Sequence, residues 1–426
     1  LQAVKSTLDA GLDPNETQAI TLMGNHEYYD GNNLAVFESV MGEGSANVHK
    51  IINGYHFIGI SPDESARHGW DYNAETYAWV EAQVAAAYAD TGADKPIFVF
   101  QHVPDFQQEY GTCEHLGSEG GTPTLQSIYE RYPNVVRFAG HIHAPITDEY
   151  IIYQNKYTSL GTGTLHYSTR PTANGEKIDM NNRYSTDQAY VVEVDAANRT
   201  RVRVWDISEN KFVAGTYILD SYKTEDFKYN ENRFTEEDLF FADDAELNLV
   251  KVTGNLAAFS FSPVSPDSIT ARGYHLVVED TAGKVVKQRY VSWDYFNLDY
   301  TTPIKSALGG LTPETDYVLK VYAVTAGYCS ELTCERHRMT SQPLVQNFRT
   351  AAVAQGEVKA DILDVSIDAQ AGTIRDISDN AMQAKVYGSP VISHDDTIGM
   401  DVITFPGDCS NVVRFADYVS KADEMA

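Results

Sequence analysis

The 426-residue chain is predicted to fold as a layered α/β domain followed by all-β sandwich domains. Three observations carry this. Through the first third, helical periodicities alternate with short apolar strands. From there to residue 220 only strands and turns follow. Beyond residue 247 the pattern becomes short strands of alternating polarity, punctuated by turn residues at the spacing of a β-sandwich.

Taken in order, LQAVKSTLDAG reads as a helix closing on Gly11, and QAITLM (18–23) as a short buried strand. AETYAWVEAQVAAAYADTG has helical periodicity and stops at Gly92. PIFVFQH is a strand, TLQSIYERYP a helix stopped by Pro133, and NVVRFAGHIH another strand. EYIIYQNKYTSLGTGTLHY and QAYVVEVDAANRTRVRVWDI supply the strands that end this first domain, residues 1–220. Between Asp220 and Glu246 there are ten acidic and three basic residues, so 221–246 reads as a solvated acidic linker on which Phe240 and Phe241 dock. Residues 247–350 contain LAAFSFSPV, GYHLVVED, the turn TAGK, VVKQRYVSW and a strand with Tyr317, Leu319, Val321 and Ala323 on one face. Residues 351–426 read as strand, loop, strand.

The bulk numbers narrow the function. Hydrophobic content is 43% and charged content 22%, ordinary for a folded protein. The formal net charge of −28 argues against a nucleic-acid partner, which Lys and Arg would have to hold. A phosphorylated small substrate stays open, because metal ions reverse a local field. No apolar run nears the roughly 18 residues of a transmembrane helix, and no signal peptide is visible. The four cysteines, Cys113, Cys329, Cys334 and Cys409, show no metal-site spacing; Cys329 and Cys334 are close enough in sequence for a local disulfide.

Three apolar strands end in ligand-type residues. The first leads into Gly24-Asn25-His26-Glu27, the second into His102, and the third into Gly140-His141-Ile142-His143. Parallel strands in an α/β sheet deliver their carboxyl ends to one crevice. Asn carbonyl oxygen and imidazole nitrogen suit divalent ions such as Zn²⁺, Mn²⁺ and Fe. Singly, each motif is an ordinary turn or a hydrogen-bonded histidine. The three in this order, each at a strand end, form a set that points to metal.

That set resembles the calcineurin-like metallophosphoesterase superfamily, which includes the purple acid phosphatases and runs D-x-H, G-D-x-x, G-N-H-[DE], a lone His, then G-H-x-H. The last three blocks stand here as GNHE, QHVP and GHIH, within roughly residues 1–220. The resemblance implies a layered α/β/β/α sandwich and metal-dependent hydrolysis of a phosphate-ester small molecule. Asn25, His102 and His141 would bind one ion and His143 a second, the identities being Mn, Zn or Fe. His26 would be the catalytic acid or phosphate clamp, with Glu27 orienting it. Two ions about 3.5–4 Å apart would grip the phosphoryl group and acidify the attacking water. Tyr28 and His115, the latter in the Gly-rich loop EYGTCEHLGSEGGT, are candidate substrate contacts. The D-x-H and G-D-x-x blocks are absent, so the sandwich is expected to be incomplete, with those strands upstream of Leu1, and the fragment a poor enzyme.

Leu311, Pro313, Thr315 and Tyr317 resemble the corner of a fibronectin type III domain, with Phe259 or Phe261 in place of the family's Trp. The stretch from Ala360 resembles the opening of a laminin-G or concanavalin-like jelly roll, truncated. These resemblances imply a secreted or cell-surface, extracytoplasmic protein and glycan or cell-surface ligands for the C-terminal domains. They also keep a second reading alive: a non-catalytic adhesion protein on a degenerate phosphoesterase scaffold.

Overall fold

The computed structural model describes residues 1–29, 33–42, 44, 46–63, 71–109, 112, 124–165, 168–171, 177–180, 187–293, 299–325, 339–352, 365–376, 384–395, 400–405 and 412–415. It is mostly β-sheet with few helices. The chain divides into two compact units. One comprises Leu1–Asn248, Phe261–Ile304 and Tyr317–Phe348; the other comprises Leu249–Ser260, Lys305–Asp316 and Arg349–Ala426.

In the first unit, helices α1 (Gln2–Gly11), α2 (Asn25–Tyr29) and α3 (Leu34–Met41) precede the hairpin β1 (Asn47–Ile52) and β2 (Tyr55–Ile60). This hairpin adds to the sequence expectation. Its turn is Asn53-Gly54, both at positive φ of 50° and 77°, the pair that a two-residue hairpin turn favours. Helix α4 (Ala74–Thr91) follows, then β3 (Ile97–Gln101), α5 (Leu125–Tyr129), β4 (Val135–Ala139), β5 (Ile152–Gln154) and β6 (Thr158–Gly161). The six strands form one sheet in the order β1-β2-β3-β4-β6-β5. The central run β2, β3, β4, β6 is parallel throughout.

Both faces of that sheet are covered. Helix α4 starts where the Asn73 side chain accepts the Thr76 N–H, and ends at Gly92. Its Val80, Val84 and Ala87, at helical spacing, pack with Leu125 and Ile128 of α5 against Ile58, Ile97, Val99 and Val135. On the opposite face Phe98, Val136, Phe138 and Leu160 meet Val202, Val204, Tyr217 and Leu219. These last four belong to a second sheet. After the short pair β7 (Ser168–Pro171) and β8 (Lys177–Met180), strands β9 (Gln188–Val194), β10 (Thr200–Asp206) and β11 (Lys211–Leu219) pair antiparallel in the order β11-β10-β9. Helices, six-stranded sheet and three-stranded sheet thus form three layers.

Two local expectations differ from the structure. QAITLM (18–23) carries no strand ladder among the described residues. Strand β2 already has β1 and β3 as neighbours, so the segment does not pair with it. Instead Ile20 and Leu22 cover Gly59 so closely that a methyl group on that glycine would come within 3.0 Å and 2.8 Å of them. The acidic stretch 221–246 is not simply solvated. Tyr222, Phe227 and Leu239 are buried, and the Gln154 carboxamide oxygen accepts the backbone N–H of Lys228 and Tyr229. Phe241 stacks on Tyr274 while Phe240 stays partly exposed.

From Leu247 to Arg349 the described residues form seven strands: β12 (Leu247–Val252), β13 (Leu256–Phe261), β14 (Gly273–Asp280), β15 (Val285–Ser292), β16 (Ile304–Gly309), β17 (Asp316–Val324) and β18 (Leu344–Arg349). They form a four-stranded sheet, β15-β14-β17-β18, and a three-stranded sheet, β12-β13-β16. The inner face of β17 is Tyr317, Leu319, Val321 and Ala323, as the alternation predicts. Just before β14, Arg272 reaches back within the first unit to Asp148 and Glu149, at 2.6 Å and 2.9 Å. In the second unit the described C-terminal residues form three antiparallel hairpin or strand pairs, Val365–Asp368 with Thr373–Asp376, Ala384–Tyr387 with Val412–Phe415, and Val391–Asp395 with Met400–Thr404.

Candidate functional site

Parallel pairing brings the ends of β3 and β4 to one edge. His102 follows β3 and Gly140 follows β4, while Asn25 opens α2 beside them. Asn25 is buried. Its Oδ1 accepts from His102 Nε2 at 2.8 Å and from His141 Nδ1 at 3.2 Å, and the two nitrogens are 3.2 Å apart. Three donor atoms from three separate segments therefore make a small triangle.

The backbone is shaped to permit this. A methyl group on Gly24 would fall 2.8 Å from the His102 ring, so only glycine lets the GNHE turn come so near. His141 and His143 both have positive φ, 69° and 52°. Side chains avoid that conformation, at a cost of order 1–3 kcal/mol each. Here the turn it makes directs His141 Nδ1 to Asn25 Oδ1 at 3.2 Å. Glu27 turns back so that its carboxylate accepts the Gly24 N–H at 2.7 Å. This is half of a capping box for α2, and it serves the loop holding Asn25 rather than the His26 ring.

The imidazole of His102 is pushed down to about 4, first by burial and then by His143 and His26. It is thus neutral near pH 7, the form that ligates metal. The same influence places His143 and His26 in its electrostatic neighbourhood. His26 is exposed and meets Tyr29 edge-on at 5.5 Å. The Tyr28 hydroxyl donates to Pro62 O. His115 lies outside the described residues, as do His166 and the four cysteines.

A support that sequence reasoning missed lies behind the histidines. Arg137, in the middle of β4 and fully buried, makes a two-pronged contact with Glu109 at 2.6 Å and 2.8 Å, and lies 3.2 Å from Asp105. Tyr157 donates to Asp105 as well. Asp105 and Glu109 follow His102 in the chain, so the cluster pins the segment after one histidine to the strand that carries the next. A charged residue inside the apolar run VVRFA was the available signal.

Among the described residues, no group of three or more His, Cys, Asp and Glu side chains is arranged to hold a metal; the triangle reaches three donors through the Asn25 carboxamide. The 2.8–3.2 Å separations are hydrogen-bond distances; donors about 2.1 Å from one ion would stand about 3.0–3.4 Å apart, so a small spreading of the triangle would admit one. No helix among the described residues is long and apolar enough to cross a membrane.

No family model matches the chain, and no curated protein matches it. Solved structures similar to it include fibronectin type III domains. A two-domain segment from chicken tenascin is 12% identical, covering 41% of this chain and 77% of its own, with a TM-score of 0.18. The FN1–FN3 domains of chicken CNTN1 are 15% identical, covering 41% and 49%, at 0.19. The third fibronectin III domain of the human KIAA0343 protein is 18% identical, covering 29% and 92%, at 0.19.

Proposed function

We propose that the first 220 residues are a metallophosphoesterase-type unit, an α/β/β/α sandwich in design, that binds divalent metal and acts on phosphate esters, joined to fibronectin type III-like and jelly-roll modules of an extracytoplasmic protein. The convergence of Asn25 Oδ1, His102 Nε2 and His141 Nδ1 carries the proposal. These three would hold one ion, and His143 a second. When bound, the ions supply a Lewis-acidic grip on phosphoryl oxygens and a water acidified toward hydroxide. The chain's own residues do the rest. Gly24 and the Glu27 cap hold Asn25 in place. The Arg137 cluster fixes the segment after His102. The exposed His26, beside the triangle, would donate a proton to the departing oxygen or steady the phosphoryl group.

With three donors for one ion and a single histidine for the other, this chain is expected to bind metal weakly and turn over slowly. Calorimetric titration with Mn²⁺ or Zn²⁺ tests the reading directly. Wild type should show saturable binding, weakened at least tenfold in both His102→Ala and His141→Ala, with any metal-dependent hydrolysis of p-nitrophenyl phosphate lost in both. Unchanged binding in the two variants would remove the basis for an enzyme and favour the adhesion reading.

A further inference from the structure

We propose that an apolar cavity beside the histidines receives a hydrophobic alcohol group, so that the unit's substrates are phosphate esters of aryl or alkyl alcohols. The inference rests on the phosphoesterase reading for its phosphate end and on independent geometry for its apolar end. The cavity holds about 540 Å³, within the range of small-molecule sites, roughly 300–1,000 Å³. It lies between the six-stranded sheet and β9, where Phe57, Phe98, Phe100 and Phe138 face Tyr190 and Val192.

The floor is flat. Phe57 and Phe100 are within 6° of parallel at 6.4 Å, and Phe100 and Phe138 within 12° at 5.4 Å. Three adjacent parallel strands in register produce this, since Phe57 pairs with Phe98 and Phe100 with Phe138. An apolar group entering the cavity meets aromatic carbon along this row. No lining side chain among the described residues is charged, which disfavours a second phosphate or a sugar-phosphate tail in this space. Two wall residues nevertheless carry unspent polar atoms: Gln188 Oε1 and Tyr190 Oη are enclosed without a hydrogen-bond partner among the described residues.

None of the metal-type residues lines the cavity, but Thr162 brings its wall near them. Thr162 lines it, and the Thr162 hydroxyl donates to Ala139 O, at the end of β4. A methyl group on Gly140 would stand 3.4 Å from His102 Nδ1 and 3.7 Å from Thr162 Oγ1. The imidazole and that hydroxyl therefore lie within about 7 Å of each other, a span that one ester linkage and a ring can bridge.

The test uses 1-naphthol with the metal-free full chain, followed by calorimetry or naphthol fluorescence. Saturable one-site binding is expected, at least tenfold weaker in Val192→Trp, which fills the cavity from its rim. Ala189→Leu is the second variant, should the first lower the melting temperature, and is expected to weaken binding at least threefold. With Mn²⁺ added, 1-naphthyl phosphate should be hydrolysed at least tenfold faster than methyl phosphate in wild type, and this preference should fall in both variants. Absence of naphthol binding to folded wild type, or binding untouched by either folded variant, overturns the cavity assignment. Naphthol binding without hydrolysis of any ester sinks the phosphoesterase reading while the apolar site stands.

Discussion

Among the described residues two arginines are buried, and they bracket the histidine loop from opposite sides. Arg137 lies in β4, four residues before His141, with 0% exposure; its carboxylate partners Asp105 and Glu109 are at 2% and 0%. Arg272 lies before β14 and grips Asp148 and Glu149, which come five and six residues after His143. Asp148 is fully enclosed, but the Glu149 side chain is 33% exposed. The first cluster sits inside one layered core. The second joins that core to the four-stranded sheet that follows it, and keeps contact with water. Ion pairs cut off from solvent depend entirely on their partners, whereas a hydrated carboxylate can lose its cation and be re-solvated. The comparison teaches that the two clusters, alike in composition, should differ in how much the molecule suffers when each is broken.

The largest effect is expected from Arg137→Met. It leaves two enclosed carboxylates without a cation, at a cost of about 3–5 kcal/mol in urea unfolding. It should also weaken the metal titration described above, because the segment after His102 loses its tether. A variant as stable as wild type would break the comparison outright.

Arg272→Met should cost less, about 1–3 kcal/mol, and leave metal titration as it was. Equal losses in the two arginine variants would show that Glu149 exposure relieves nothing.

The smallest effect is one of pH. Burial pushes the Glu149 carboxyl up, but Arg272 and the Thr270 hydroxyl outweigh it, and the net shift is downward from 4.5. Such a group stabilises the fold above its ordinary value, and that contribution is lost as pH falls through its lowered one. Burial moves the neighbouring Asp148 the other way, upward despite Arg272, so the loss is partial. Melting temperature should be level from pH 7 to about 5, then fall, with a shallower fall in Arg272→Met. Parallel acid limbs for the two proteins would exclude this origin.

The site was legible because ligand-type residues at strand ends are costly to explain otherwise. Asn25, His102 and His141 lie 77 and 39 residues apart in turn, yet their order and expected strand-end positions predicted their meeting. What could not be read was backbone conformation. Nothing in GHIH announces that both histidines sit at positive φ, and nothing in GNHE says that Glu27 caps its own turn. Arg137 was overlooked because a single charge in VVRFA looks like one outward-facing residue of an edge strand, until β4 proves central and covered on both faces. The acidic stretch misled for a related reason. Tyr222, Phe227 and Leu239 are spaced too widely among carboxylates to show a period, so composition hid the residues that dock. QAITLM had a strand's composition but packs over Gly59 instead of pairing, and pairing depends on neighbours that a single segment cannot specify.

The link through Arg272 bears on how this protein could be taken apart. An excised N-terminal piece ending in the acidic stretch would keep Asp148 in a dry pocket after its guanidinium had gone, exposing a scar where none is apparent from the polar character of the cut. Modular appearance would then be a poor guide to independence. Supplying the missing β14 region as a separate peptide, or replacing Asp148 by a neutral residue, would be a rational repair for such a fragment.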